Sequence, residues 1–168
     1  MPITVRKALI ADVPHMQKLI NDYAAKGLML PRSLTALYEQ LRDYTVATDG
    51  DRVVGCVALH VSWADLAEVR SLAVVGGAQH QGVGTRLVRQ ALAEAQALGA
   101  RRVFVLTFVE EFFRDLGFHR VEKSELPHKI WHECVHCIHF PDCDEVALSL
   151  ELEPVSPSQP AAAGRPAV

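Results

Sequence analysis

The sequence predicts one domain of mixed α/β class, and three observations carry that prediction. Its 168 residues, with 49% hydrophobic and 22% charged side chains, suit a single soluble core. Segments of strand character then alternate with segments of helical periodicity along most of the chain. Between Val74 and Val88 a turn with four glycines joins an apolar, strand-like run to a helix-like one. The domain is expected to span residues 1–153. Residues 154–168 are rich in Pro and Ala, lack apolar periodicity, and are expected to be a disordered tail.

Each element has its own warrant. "ITVRKAL" reads as a first strand. Asp12 is expected to cap a helix in which Val13, Met16, Leu19, Ile20 and Tyr23 recur at helical spacing, with Gly27 as its stop. Ser33 caps a second helix that carries Leu34, Leu37, Tyr38 and Leu41 on one face. "YTVATDGDRVVGCVALHVSW" reads as a hairpin with Asp49-Gly50 at its turn, and "AEVRSLAVV" as the next strand. A helix from about Gly82 to Leu98 follows, apolar at Val83, Leu87, Val88, Ala91, Leu92 and Ala95, with Gly99 ending it. "RRVFVLTF" is a buried strand, "EEFFRDLGF" a short helix ending at Gly117, and "EVALSLEL" a final alternating strand.

Composition excludes several partners. A net charge of −3 offers no basic footprint for nucleic acid. No apolar run approaches the ~20 residues of a membrane span, so no membrane partner is expected. The N-terminal "MPITVRKALIADV" lacks the regions of a secretory signal, which predicts a cytoplasmic enzyme or binding module. Oligomeric state is not written in the sequence, and a homodimer is one candidate.

What the glycine turn binds can be narrowed by spacing. Gly77 and Gly82 match the glycines of a Walker A loop, but Val83 and Gly84 replace its Lys and Ser/Thr. A dinucleotide fingerprint fails as well, because Leu87 stands where its third glycine belongs. What remains is a strand, then Gln79-x-x-Gly82-x-Gly84, then a helix. Backbone N–H groups and the dipole at that helix start suit a pyrophosphate held without metal.

"QHQGVG" after "EVRSLAVV" resembles the acetyl-CoA pyrophosphate loop of the GNAT N-acetyltransferases, and "FFRDLGF" resembles a later helix motif of that superfamily. Longer stretches are similar to the acetyltransferase domain of bacterial N-acetylglutamate synthases, particularly the short forms without a kinase domain. These stretches are "GLMLPRSLTALYEQL", "VVGCVALHVSWADLAEVRSLAV", "RRVFVLTFVEEFFRDLGF" and "ELPHK". The resemblance runs over about residues 3 to 150. It implies a mostly antiparallel mixed sheet splayed around an acetyl-CoA cleft, with helices on both faces. It also implies acetyl transfer to the α-amino group of L-glutamate, a step of arginine biosynthesis.

The same resemblance assigns roles. Leu72, Ala73 and Val74 are expected along the acetyl-CoA arm, with a backbone N–H polarising the thioester carbonyl. Gln79, His80, Gln81, Gly82, Val83, Gly84 and Thr85 are expected to hold the pyrophosphate. Glu68 stands where many of these enzymes place a general base, since an amino-acid ammonium must lose a proton before it attacks; a solvated strand-end carboxylate is the alternative. Arg32 in "LPRS" matches a substrate-binding arginine. Arg70 lies two residues beyond Glu68 and so on the same strand face. His60 occupies a position where related synthases can carry a lysine for the substrate. Phe113 replaces a tyrosine that often protonates the departing thiolate, so no tyrosine acid is expected.

The segment "HKIWHECVHCIHFPDCDE" admits two metal readings. His132-Glu133-Cys134-Val135-His136 fits the short zinc-protease pattern, but the longer signature breaks down at Cys137, Ile138 and His139. Cys134, Cys137 and Cys143 with a nearby histidine suit tetrahedral zinc, although the second half of the motif is compressed. A loop of reduced cysteines is favoured over zinc. Two alternatives to glutamate acetylation stay open: acetylation of another small amine or a protein N-terminus, and a non-catalytic acetyl-CoA- or metal-binding regulatory module.

Overall fold

A computed structural model describes residues 2–126 and 145–154. Its elements are β1 (Ile3–Lys7), α1 (Val13–Ala25), α2 (Leu34–Glu39), β2 (Tyr44–Asp49), β3 (Arg52–Trp63) and β4 (Leu66–Val74), then α3 (Val83–Leu98), β5 (Arg102–Thr107), α4 (Glu110–Asp115), β6 (His119–Val121) and β7 (Val146–Glu151). Among the described residues the seven strands form one sheet in the order β1-β2-β3-β4-β5-β7-β6. Every neighbouring pair is antiparallel except β4 and β5, which run parallel. The mixed, mostly antiparallel sheet expected from the sequence is what the chain forms.

Helices cover both faces, and each face has its own core. On one, Val83, Leu87, Val88, Ala91 and Ala95 of α3 and Phe113 of α4 pack against Val57, Leu59, Ala67, Val69, Val74, Val103 and Val105. On the other, Val13, Met16 and Ile20 of α1 and Leu37 of α2 cover Tyr44, Val46, Cys56, Ala58 and Ala73. The α3 residues that carry the first core are those the helical spacing singled out.

Three local expectations are corrected, and one strand is added. Asp12 does not cap α1. Its carboxylate accepts from the Leu9 N–H at 2.7 Å and from both terminal nitrogens of Arg6, at 2.7 and 3.1 Å. The Arg6 hydrogen bonds hold that carboxyl below its ordinary range, while Pro14 opens the helix. Leu41 lies outside α2, in a short 3₁₀ turn over Leu41–Asp43. The hairpin turn is Gly50-Asp51, because Asp49 pairs with Arg52. β6, three residues at the sheet edge, has no counterpart in the sequence reading. Ser33 does cap α2, its hydroxyl accepting from the Ala36 N–H at 3.1 Å.

The feature that shapes the site is the short contact between the two parallel strands. β4 pairs with β5 only from Leu66 to Glu68, against Arg102 to Phe104. Beyond that point β4 continues beside β3, while Val105 to Thr107 pair with β7 alone. The parallel pair thus opens towards the C-terminal end of β4, where the glycine turn begins.

Candidate active site

The open half of β4 begins with a bulge. Cys56 pairs with Ala73 and Ala58 with Arg70, so Ser71 and Leu72 together oppose Val57. Ser71 sits at φ +56°, a left-handed conformation that costs a non-glycine residue about 1–3 kcal/mol. Two contacts hold it. The Tyr44 hydroxyl donates to Ser71 Oγ at 3.4 Å, and the Cys56 thiol reaches the Ser71 carbonyl at 3.6 Å. Both side chains are fully buried. Burial raises the Tyr44 hydroxyl pKa, against the opposing influence of Ser71 and of the nearby Arg32 and Arg70 cations. It pushes the Cys56 thiol up to about 12, so that thiol stays protonated.

Before the bulge, β4 presents charge. Arg70 Nη1 lies 3.9 Å from Glu68 Oε2, and Arg70 Nη2 donates to Gln40 Oε1 at 3.1 Å. Both side chains are largely shielded, at 9% and 15% exposure for Arg70 and Glu68. Register explains the cluster: Tyr44, Ala58 and Arg70 form one cross-strand row, and His60, Glu68 and Phe104 the next. His60 Nδ1 lies 2.8 Å from Asp43 Oδ2 at the end of the turn that follows α2. Arg32 reaches the same neighbourhood from the loop after α1. Its backbone is gripped by Asn21, whose Oδ1 accepts from the Arg32 N–H at 3.0 Å and whose Nδ2 donates to the Arg32 carbonyl at 3.2 Å. The structure therefore gathers Glu68, Arg70, Arg32 and His60, the four acceptor-side residues expected from sequence, on the α1–α2 face. It adds Tyr44, Gln40, Asp43 and Asn21, which sequence reasoning missed.

After the bulge, β4 offers backbone rather than side chains. Ala73 and Val74 are buried in opposite cores, and Leu72 packs against the α3 side. The Val75 N–H donates to Val54 O at 2.8 Å, and antiparallel ladders alternate, so Val74 turns its N–H and C=O towards the opened side. There the Tyr23 hydroxyl donates to Val74 O and accepts from Gln79 Nε2. Tyr23 was legible only as an apolar helix position, and Gln79 only as part of the loop.

The loop then delivers the start of α3. Gln81 Nε2 donates to Gly77 O at 2.9 Å, His80 adopts φ +64°, and Gly82 caps the helix at φ +77°. The first intrahelical bond runs from the Arg86 N–H to Gly82 O, leaving the N–H groups of Val83, Gly84 and Thr85 outside the ladder. No acidic side chain occupies the first turn. A Cβ at Gly84 would rest 3.4 Å from Phe112 Cζ, so α4 packs closely over this helix start. Phe113 is 2% exposed and meets Phe112 and Phe118 edge-on, as core packing requires. Cys134, Cys137 and Cys143, with the histidines around them, lie outside the described residues. Among the described residues no group of three or more metal-ligating side chains comes together, and no helix is long and apolar enough to cross a membrane.

A helix start suited to phosphate beside a strand carrying an acid and an arginine defines a class: a transferase whose donor carries phosphate. Comparison with known proteins narrows it, for the acetyltransferase (GNAT) family profile matches residues 15–121. The chain belongs to the GNAT family of acetyltransferases and has its fold. An amino-acid acetyltransferase of Mycobacterium tuberculosis is 40% identical over 132 residues, covering 77% of this chain and 75% of that protein. A solved Mycobacterium tuberculosis structure in complex with CoA superposes with TM-score 0.77 at 35% identity, covering 89% of this chain and 99% of the other. N-acetylglutamate synthase from Neisseria gonorrhoeae, solved with coenzyme A and N-acetyl-glutamate, gives TM-score 0.80 at 26% identity. That match covers 91% of this chain and 36% of the synthase.

Proposed function

We propose that this chain is an acetyl-CoA-dependent amino-acid N-acetyltransferase whose acceptor is L-glutamate, so that it serves arginine biosynthesis. The observation that carries the reading is the division of β4 at Ser71. An acid and an arginine lie on one side, and a backbone edge outside the strand ladder, leading to a helix start suited to anions, lies on the other. The names of the similar amino-acid acetyltransferases, and the coenzyme A and N-acetyl-glutamate bound in the gonococcal synthase, support it.

In this reading the N–H groups of Val83, Gly84 and Thr85 receive the pyrophosphate of acetyl-CoA. The pantetheine arm runs along the backbone of Leu72 to Val74. A backbone N–H on that edge polarises the thioester carbonyl and stabilises the oxyanion as the amine adds. Arg32 and Arg70 take the carboxylates of glutamate, and His60 borders the same space. Glu68, directly or through a water, accepts the proton of the substrate ammonium. The amine nitrogen forms its bond to the acetyl carbon, the C–S bond breaks, and CoA leaves as a thiolate. With Phe113 in place of a tyrosine, the second proton, shed by the nitrogen as the amide forms, reaches the thiolate through water, and a thiol pKa of about 8.5 makes the thiolate a ready leaving group.

A thiol-release assay with acetyl-CoA and a panel of amino acids tests the proposal. L-Glutamate is expected to give the highest kcat/KM, with N-acetyl-glutamate as product. Thiol release with some other amine and none with glutamate would move the chain to a different acceptor.

A further inference from the structure

Helix α1 reaches both halves of the site through its side chains. Asn21 and Tyr23 lie two residues apart, about 200° around the helix, and so point to opposite flanks. Asn21 grips the backbone of Arg32 through both its N–H and its C=O. Tyr23 bonds Val74 O and Gln79 through its hydroxyl, and it closes the start of the Arg32 loop with its own carbonyl. That carbonyl accepts from the Lys26 N–H at 3.1 Å and the Leu28 N–H at 3.2 Å. One residue thus touches the loop that carries the arginine and the strand end that precedes the anion-binding turn. Gln79 Nε2 also reaches the Val74 carbonyl at 3.5 Å, so hydroxyl, amide and strand end form one hydrogen-bonded cluster.

We infer that Tyr23, with Asn21, is a positioning residue that couples the two binding steps: a nucleotide-bearing thiol seated on the Val74–Thr85 edge orders the Arg32 loop for its acceptor, and the acceptor tightens the thiol's hold in return. The inference rests on the proposed function for the identity of the two ligands. Its physical content is a chain of hydrogen bonds from the Arg32 backbone through α1 to Val74 and Gln79. The coupling it produces must be reciprocal, because linkage between two binding equilibria is symmetric.

Calorimetry on the full chain tests it with CoA and L-glutamate, a pair that cannot react. For the native protein, saturating glutamate is expected to tighten CoA binding by about fivefold or more, the lower end of ordinary coupling. Tyr23→Phe keeps the ring and removes the hydroxyl. Whatever its affinity for CoA alone, its coupling factor should fall to near one. Asn21→Ala, which leaves Tyr23 and the cofactor edge untouched, should lose the factor as well. Melting curves verify that both variants are folded. A purely structural role would weaken each ligand alone and leave the ratio intact. Retention of the full factor in both variants overturns the inference, as does native protein that binds glutamate and CoA independently. Failure of glutamate to bind at all overturns the glutamate reading and the coupling with it, an outcome distinct from binding without coupling.

Discussion

The two halves of β4 are built from different materials. Beyond Ser71 the strand contributes backbone, and the turn after it contributes helix-start N–H groups, with glycine at the cap. Before Ser71 it contributes Glu68 and Arg70, supported by Gln40, Asp43, Tyr44 and the Asn21-held Arg32 from three other segments. A backbone site is insensitive to most side-chain changes but intolerant of changes in φ. A side-chain site has the opposite weakness. Substitutions should therefore separate cleanly by kinetic signature.

Glu68→Gln should have the largest effect. It keeps shape and removes the base, so kcat with glutamate should fall about 10²- to 10⁴-fold while acetyl-CoA affinity stays within about twofold. Steady-state kinetics beside a CoA titration measures turnover and affinity, and an unchanged kcat would return Glu68 to the role of a shielded surface acid.

Arg32→Ala comes next, at about 2–4 kcal/mol, or roughly 30- to 1000-fold in kcat/KM for glutamate. Arg32→Lys should recover only part, since an ammonium keeps the charge but loses the planar fork. Comparison with glutamine identifies the contact. Equal losses for both substrates assign Arg32 to the α-carboxylate, and a larger loss for glutamate assigns it to the γ-carboxylate.

On the backbone side, Gly82→Val should cost about 1–3 kcal/mol through conformation alone, because the residue sits at φ +77° with open space around its Cβ position. Acetyl-CoA binding should weaken by roughly tenfold or more for a misdirected helix start, with the glutamate KM nearly unchanged. Undiminished acetyl-CoA binding would break the assignment of this turn.

The smallest effect is expected away from both halves. Asp12→Asn should cost about 1 kcal/mol, as for a partly exposed ion pair, and leave the kinetics alone. Arg6 lowers the Asp12 pKa in the folded protein. Its contribution is therefore complete above about pH 4, the unfolded value, and disappears as the pH drops through the lowered folded value. Acid unfolding of the variant should be correspondingly less dependent on pH in that window.

Legibility in the sequence follows the same division. The proposed cofactor side is contiguous, so Gln79 to Thr85 could be read as one pattern, and the α3 spacing named the residues that bury the helix. On the proposed acceptor side only Glu68 and Arg70 declare their shared face, through strand alternation. Gln40, Asp43 and Tyr44 come into reach only through the β2–β3–β4 register, which no local pattern specifies. The bulge carries no glycine to advertise it, and β6 is too short to alternate. Asp12 shows how a local rule loses: an Asp before a helical run reads as a cap, yet Arg6, six residues back in the chain, claims the carboxylate. The Tyr23 hydroxyl was hidden by its ring, which fits an apolar helix stripe equally well.

The bulge at Ser71 acts on β4 as a dislocation acts on a crystal row. Upstream, Ala67 and Val69 turn to the α3 side; downstream, Leu72 and Val74 do, so the odd-numbered phase becomes the even-numbered one. Straightening the strand there with every residue kept would impose perfect alternation and rotate everything downstream by half a turn. Ala73 and Val74 would exchange cores, and the edge that bears the Val74 carbonyl would face β3 instead of the opening. An acid-bearing segment and a cofactor-bearing segment can therefore be exchanged between related chains only when the phase slip travels with the join. In this protein the defect, rather than either ordered half, is what makes the two compatible.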